Sequence, residues 1–114
     1  MEAAVDKMIL LPRYTSFAGV GTFLTSAMNV RDYSHVNVTY VTVGALGSTP
    51  PTVTVYLQES PDLEIWNDID ADINDGNTDT RNFRFEWTRL KLVMTGADPG
   101  FTCWCVGDFV RRHA

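Results

Sequence analysis

The chain has 114 residues, 45% of them hydrophobic and 20% charged, with a formal net charge of -5 and a pI near 4.7. That length suits one domain with its own core, and that composition excludes intrinsic disorder. The nine Lys and Arg residues are scattered and only Arg111 and Arg112 are adjacent, so a nucleic-acid backbone is not an expected partner.

The first stretch, MEAAVDKMILLPRY, carries Glu2 and Asp6 ahead of a short apolar run, Met8 to Leu11. A secretory signal needs a basic start and a longer apolar core, so synthesis in a host cytoplasm without such a signal is expected. No run approaches the roughly 20 apolar residues that span a bilayer, and a membrane is not an expected partner. Residues 1–17 fit two readings, an N-terminal arm or an edge strand through Met8–Leu11. The folded domain is expected over 18–110, with 111–114 as a tail. Both termini fall outside the strand pattern that follows. This makes Ile9, Leu10, Leu11, Tyr14, Arg111 and Arg112 the predicted partner-binding residues.

YTSFAGVGTFLTSAMNV then holds one or two strands interrupted by Gly19 and Gly21. In RDYSH, Asp32, Ser34 and His35 suggest a nucleophilic triad, but neighbours on an extended chain point to opposite faces, so Ser34 and His35 are not expected to pair. HVNVTYVTVG places Val36, Val38 and Tyr40 on one face, and the apolar phase then slips to Val41 and Val43, as at a bulge. TVTVYLQ puts Val53, Val55 and Leu57 on a single face. Glu59, Asp62 and Glu64 follow, with nothing that pairs two of them as glycosidase acids.

The segment DIDADINDGNTDT packs five aspartates and two asparagines into thirteen residues. Read with period 2, Ile69, Ala71 and Ile73 face a core and Asp68, Asp70 and Asp72 face water. Asp75-Gly76 would then turn the strand back into a hairpin with Arg81 to Trp87. Asp70, Asp72 and Asn74 mimic the start of an EF-hand loop. The glycine comes one residue late, at 76, and Arg81 stands where a bidentate glutamate is required. No metal or other cofactor is therefore expected, the residual candidate being a weak calcium site on Asp70, Asp72, Asn74 and Asp75.

NFRFEW aligns Phe83, Phe85 and Trp87, after which Leu90, Leu92 and Met94 resume out of phase, which predicts a bulge near Thr88. FTCWCVGDFV has large residues on both faces, as a central strand would. Its Cys103 and Cys105 sit i, i+2, about 6.5–7 Å apart on a strand, too far for a disulfide, and are expected as buried thiols. The three tryptophans are expected in the core, with Tyr14, Tyr33 and Tyr56 exposed. Turn clusters at residues 47–51, 60–62, 74–77 and 96–100 separate these runs. Seven to nine short strands at this spacing predict an all-β, single-domain antiparallel β-sandwich.

One stretch, VTVYLQESPDLEIWNDI, resembles the S-x-D-x-x-x-W hairpin of discoidin-like and related jelly-roll sandwiches, among them small virion proteins of tailed phages. Ser60, Asp62 and Trp66 carry the match. Those families often have glycine after the aspartate, where this chain has Leu63. Trp87-Thr88-Arg89-Leu90 is similar to the aromatic-x-Arg-Leu strand that often follows, so the likeness covers roughly residues 52–94. It implies that the sandwich is jelly-roll-like and the protein a non-enzymatic structural virion protein, most concretely a capsid decoration or cement protein. Such a protein would self-associate as a homo-oligomer and bind other virion proteins such as the major capsid protein. A small neck or tail protein is one alternative. A carbohydrate-binding module, with a glycan as ligand, is another, and a small enzyme a third.

Overall fold

A computed structural model of the chain describes residues 4–46, 52–96 and 100–112. The turn cluster at 47–51, the middle of the 96–100 cluster and the last two residues lie outside the described residues. The described residues form nine strands: β1 Val5–Ala18, β2 Gly21–Leu24, β3 Met28–Asn29, β4 Tyr33–Leu46, β5 Thr52–Ser60, β6 Asn67–Asp68, β7 Thr78–Asn82, β8 Trp87–Thr95 and β9 Gly100–Arg111. No described helix is long and apolar enough to cross a membrane.

The strands form two antiparallel sheets. Sheet A has the order β1-β9-β4-β7. Sheet B has the order β2-β8-β5-β6, and β3 pairs with β8 further along the edge that β2 occupies. Every link between consecutive strands changes sheet, except β2 to β3 and β5 to β6. This wrapped antiparallel order is that of a jelly roll: patterning predicted the sandwich, and the resemblance implied the jelly-roll form.

The core lies between the sheets, where alternation delivers one apolar side chain in two. Val36, Val38 and Tyr40 of β4 face it, as do Val55 and Leu57 of β5 and Leu90, Leu92 and Met94 of β8. β9 contributes Phe101, Cys103, Cys105 and Phe109. Both thiols are unpaired and buried, and burial pushes Cys105 up to about 12. Phe109 stacks on Phe83 at 6.0 Å and meets Tyr33 edge-on at 5.5 Å.

Several local expectations are corrected. Residues 68–82 are not a hairpin, because β6 ends at Asp68 in sheet B and β7 pairs with β4 in sheet A. The loop between them buries Ile69 and Ile73 while Ala71 is exposed, and Asp70 adopts φ 61°. Phe83 to Glu86 is likewise a crossing between sheets, not a bulged strand. None of the three tryptophans is fully buried, while Tyr33, expected outside, is buried with its hydroxyl donating to Asp6 at 2.6 Å. Of the two readings of Met8–Leu11, the chain adopts the strand: β1 is part of the sandwich and forms the edge of sheet A.

Candidate interaction surfaces

The acidic segment is built for the turn itself. Asp75 accepts the Thr42 N–H at 2.8 Å, and Asp79 accepts that of Asn74 at 2.9 Å. Asp68 pairs with Lys91 at 3.0 Å. Arg81, only 8% exposed, donates to the carbonyls of Ala71 and Asp72 at 3.0 and 3.2 Å. A guanidinium thus holds loop carbonyls that a calcium ion would need. Among the described residues, no three His, Cys, Asp or Glu side chains are gathered to hold a metal, so Asp70, Asp72, Asn74 and Asp75 do not converge.

Ser34 and His35 do meet, contrary to the strand argument. Ser34 Oγ lies 2.7 Å from His35 Nδ1 and 3.3 Å from the Val110 carbonyl. A register shift between Tyr33 and His35 makes Ser34 the extra residue of a bulge, which removes the opposite-face rule. A hydroxyl has one proton, so if it goes to Val110 O, then His35 Nδ1 must donate to Ser34 and cannot act as its base.

The predicted partner-binding residues separate. Ile9 and Tyr14 stand out from β1 at 69% and 68% exposure, whereas Leu11 is buried and Leu10 packs against the core. Arg111 is engaged within the domain, 2.7 Å from Asp6 with its guanidinium over Tyr33, and Arg112 donates to the Arg31 carbonyl.

The outer face of sheet A gathers apolar residues that local patterning left apart. Register aligns Val5 with Val110 and His35, Ile9 with Val106 and Thr39, and Trp104 with Val41. The charges along these rows are Lys7 and Asp108, 3.7 Å apart, and Arg13, which lies 4.0 Å from the Trp104 ring centre. Beside them Lys7, Ile9, Leu11, Pro12, Arg13 and Val106 line a hollow of about 440 Å³. Sequence alone hinted at this face only through the large residues on both sides of β9.

The outer face of sheet B has a different character. Ser60 Oγ accepts the N–H groups of Asp62 and Leu63, and Asp62 accepts those of Glu64 and Ile65 at 2.9 Å. These backbone bonds hold the Asp62 carboxyl below its ordinary value. Leu63, where the resembling families have glycine, is left-handed at φ 70°. The turn sets Trp66 against Arg89, whose guanidinium carbon lies 3.9 Å from the ring centre. Arg89 Nε donates to Gln58 Oε1 at 2.9 Å, and Gln58 Nε2 donates to Asp68 at 2.9 Å. Patterning found Arg89 only as part of a strand motif and missed Gln58, whose partners are distant in sequence.

Topology defines the class: an antiparallel jelly-roll β-sandwich, with an apolar strip on the otherwise mixed outer face of sheet A and a linked polar strip on that of sheet B. No protein-family model matches the chain, and no curated protein matches it. Among solved structures, it is similar to a chain in the structure of the infectious bursal disease virus Gx strain, with a TM-score of 0.48 and 12% identity over 95% of this chain. It spans about a third, 32%, of that chain's length.

Proposed function

We propose that this protein is a non-enzymatic structural component of a virion that works by associating with copies of itself and with a capsid lattice. The observation that supports it is the outer face of sheet A. There a row of valines, Ile9 and Trp104 continues onto β1, fourteen residues whose outer edge pairs with no described strand. An open edge beside an apolar strip, bordered by the neutral pairs Ser16–Thr102, Thr39–Thr78 and Asn37–Thr80, suits a contact between copies, because little charge must be desolvated. The virion setting rests on analogy, from the Ser60–Trp66 hairpin and the jelly-roll topology, a fold that also serves other roles.

Light scattering of the purified protein tests the association. An oligomer that dissociates when Ile9→Lys and Val106→Lys are combined supports the reading, and a monomer at all soluble concentrations rejects it. The finer assignment is a decoration or cement protein seated on the major capsid protein. Immunogold labelling of particles tests it: label on the shell exterior supports that position, and label on the neck or tail moves the protein there.

A further inference from the structure

Arg89 is a cation on sheet B without an anion. Its Nε is taken by Gln58 and its plane is fixed by Trp66, and among the described residues neither Nη nitrogen has a hydrogen-bond or ion-pair partner. The acids around it are committed. Asp68 holds Lys91 and Gln58, Asp62 holds the backbone of its own turn, and Glu59 holds Arg84 at 2.9 Å. Burial against the sheet lowers the pKa of Arg89, a sign that the guanidinium has given up hydration without gaining a counter-charge.

The row continues in register. Gln58 lies across from Arg89, and Tyr56 across from Lys91, whose ammonium sits 4.6 Å from the Tyr56 ring centre. Trp66, Arg89, Gln58, Asp68, Lys91 and Tyr56 therefore form one linked strip. Its side chains position one another before any ligand arrives. Self-association needs no such strip, and the strip lies on the opposite sheet from the apolar face.

We propose that this strip binds a carboxylated sugar, a uronate-type unit of an acidic polysaccharide, with the carboxylate on the open Nη edge of Arg89. A planar fork already immobilised by stacking matches a carboxylate with two parallel bonds and loses little side-chain entropy on binding. The neighbouring Asp68 and Lys91, though paired with each other, keep a spare carboxylate lone pair and spare ammonium protons at the next position. Ring hydroxyls, which both give and accept hydrogen bonds, can use both. An aspartate or glutamate side chain would engage the fork but offers no hydroxyls to Asp68. A dianionic phosphate would meet repulsion from Asp68. The carboxylated pyranose is thus the chemistry that spends all three groups.

The test is calorimetric titration of the full chain at low salt with tetragalacturonate, the neutral galactose tetramer and poly-glutamate. The expected result is binding of the uronate alone, weakened at least about tenfold in Arg89→Gln with circular dichroism unchanged. Arg89→Lys keeps the cation and the stem while removing the fork, and is expected to weaken binding similarly should the glutamine variant disturb the hairpin. The unmodified protein decides by itself in two cases. Absence of uronate binding, or equal binding of the neutral tetramer, overturns the proposal. Unchanged affinity in a folded Arg89 variant overturns it too, and equal binding of poly-glutamate replaces the sugar with an acidic protein partner.

Discussion

Glu59 shows how a single buried carboxylate can organise a crossing between sheets. It is 0% exposed, and its oxygens accept the N–H groups of Arg84 and Phe85 and the Nε of Arg84. Replacing it with alanine strands two backbone donors in a dry site, and a loss of about 2–4 kcal/mol in urea unfolding is expected, with less for Glu59→Gln. Leu63 tests strain instead of bonding. A left-handed leucine costs about 1–2 kcal/mol, partly offset by the flexibility a glycine brings to the unfolded chain, so Leu63→Gly should stabilise by up to about 1 kcal/mol. Acid dependence also belongs to residues. The Tyr33 hydroxyl, aided by Arg111, lowers the pKa of Asp6, and backbone N–H groups do the same for Asp62, both from 3.8. Folded groups with lowered pKa contribute stability above 3.8 and lose it as pH falls through their folded values. Asp62→Asn should therefore melt below the wild type at neutral pH, and the gap should narrow as the melts are repeated in acid.

At the scale of elements, β9 is the strand on which sheet A depends, since it pairs with β1 on one side and β4 on the other. Gly107 sits at its centre because a side chain there has nowhere to go: a Cβ would lie 2.8 Å from the Phe109 ring and 2.9 Å from Val36. Gly107→Ala is expected to cost about 1–3 kcal/mol by overpacking, readable as a lower urea midpoint at unchanged slope. The loop from β6 to β7 makes the opposite point about charge. Its aspartates look like ligands in the sequence. In the fold Asp75 and Asp79 cap backbone N–H groups, Asp68 holds Gln58 and Lys91, and Arg81 occupies the carbonyls of Ala71 and Asp72. Added calcium should accordingly leave the melting temperature unchanged, and a rise that chelator reverses would restore the metal reading.

For the whole molecule, the two proposals fall on opposite outer faces. Ile9 and Val106 support no core contact that their replacement would empty, so Ile9→Lys with Val106→Lys should change the solution mass without lowering the melting temperature. A variant that unfolds instead would place those residues in the core after all. Much of the core was legible beforehand. Val36, Val38 and Tyr40, Val55 and Leu57, and Leu90, Leu92 and Met94 follow a period of 2, which local chain geometry alone enforces. The surfaces were legible only in fragments. Trp104 and Val41 meet because β9 pairs with β4, and Gln58 meets Arg89 because β5 pairs with β8.

Read locally, the sequence reveals the strand class, the inward residues of β4, β5 and β8, the buried thiols of β9 and the interruption at Gly19 and Gly21. Each of these depends on neighbours within a few residues. It takes the paired sheets to show that the acidic segment crosses between them, that Ser34 and His35 meet at a bulge, and that Arg89 has no anion among the described residues. Those outcomes hang on which distant strand supplies the partner, and hydrogen-bond pairing across a sheet leaves little trace in local order.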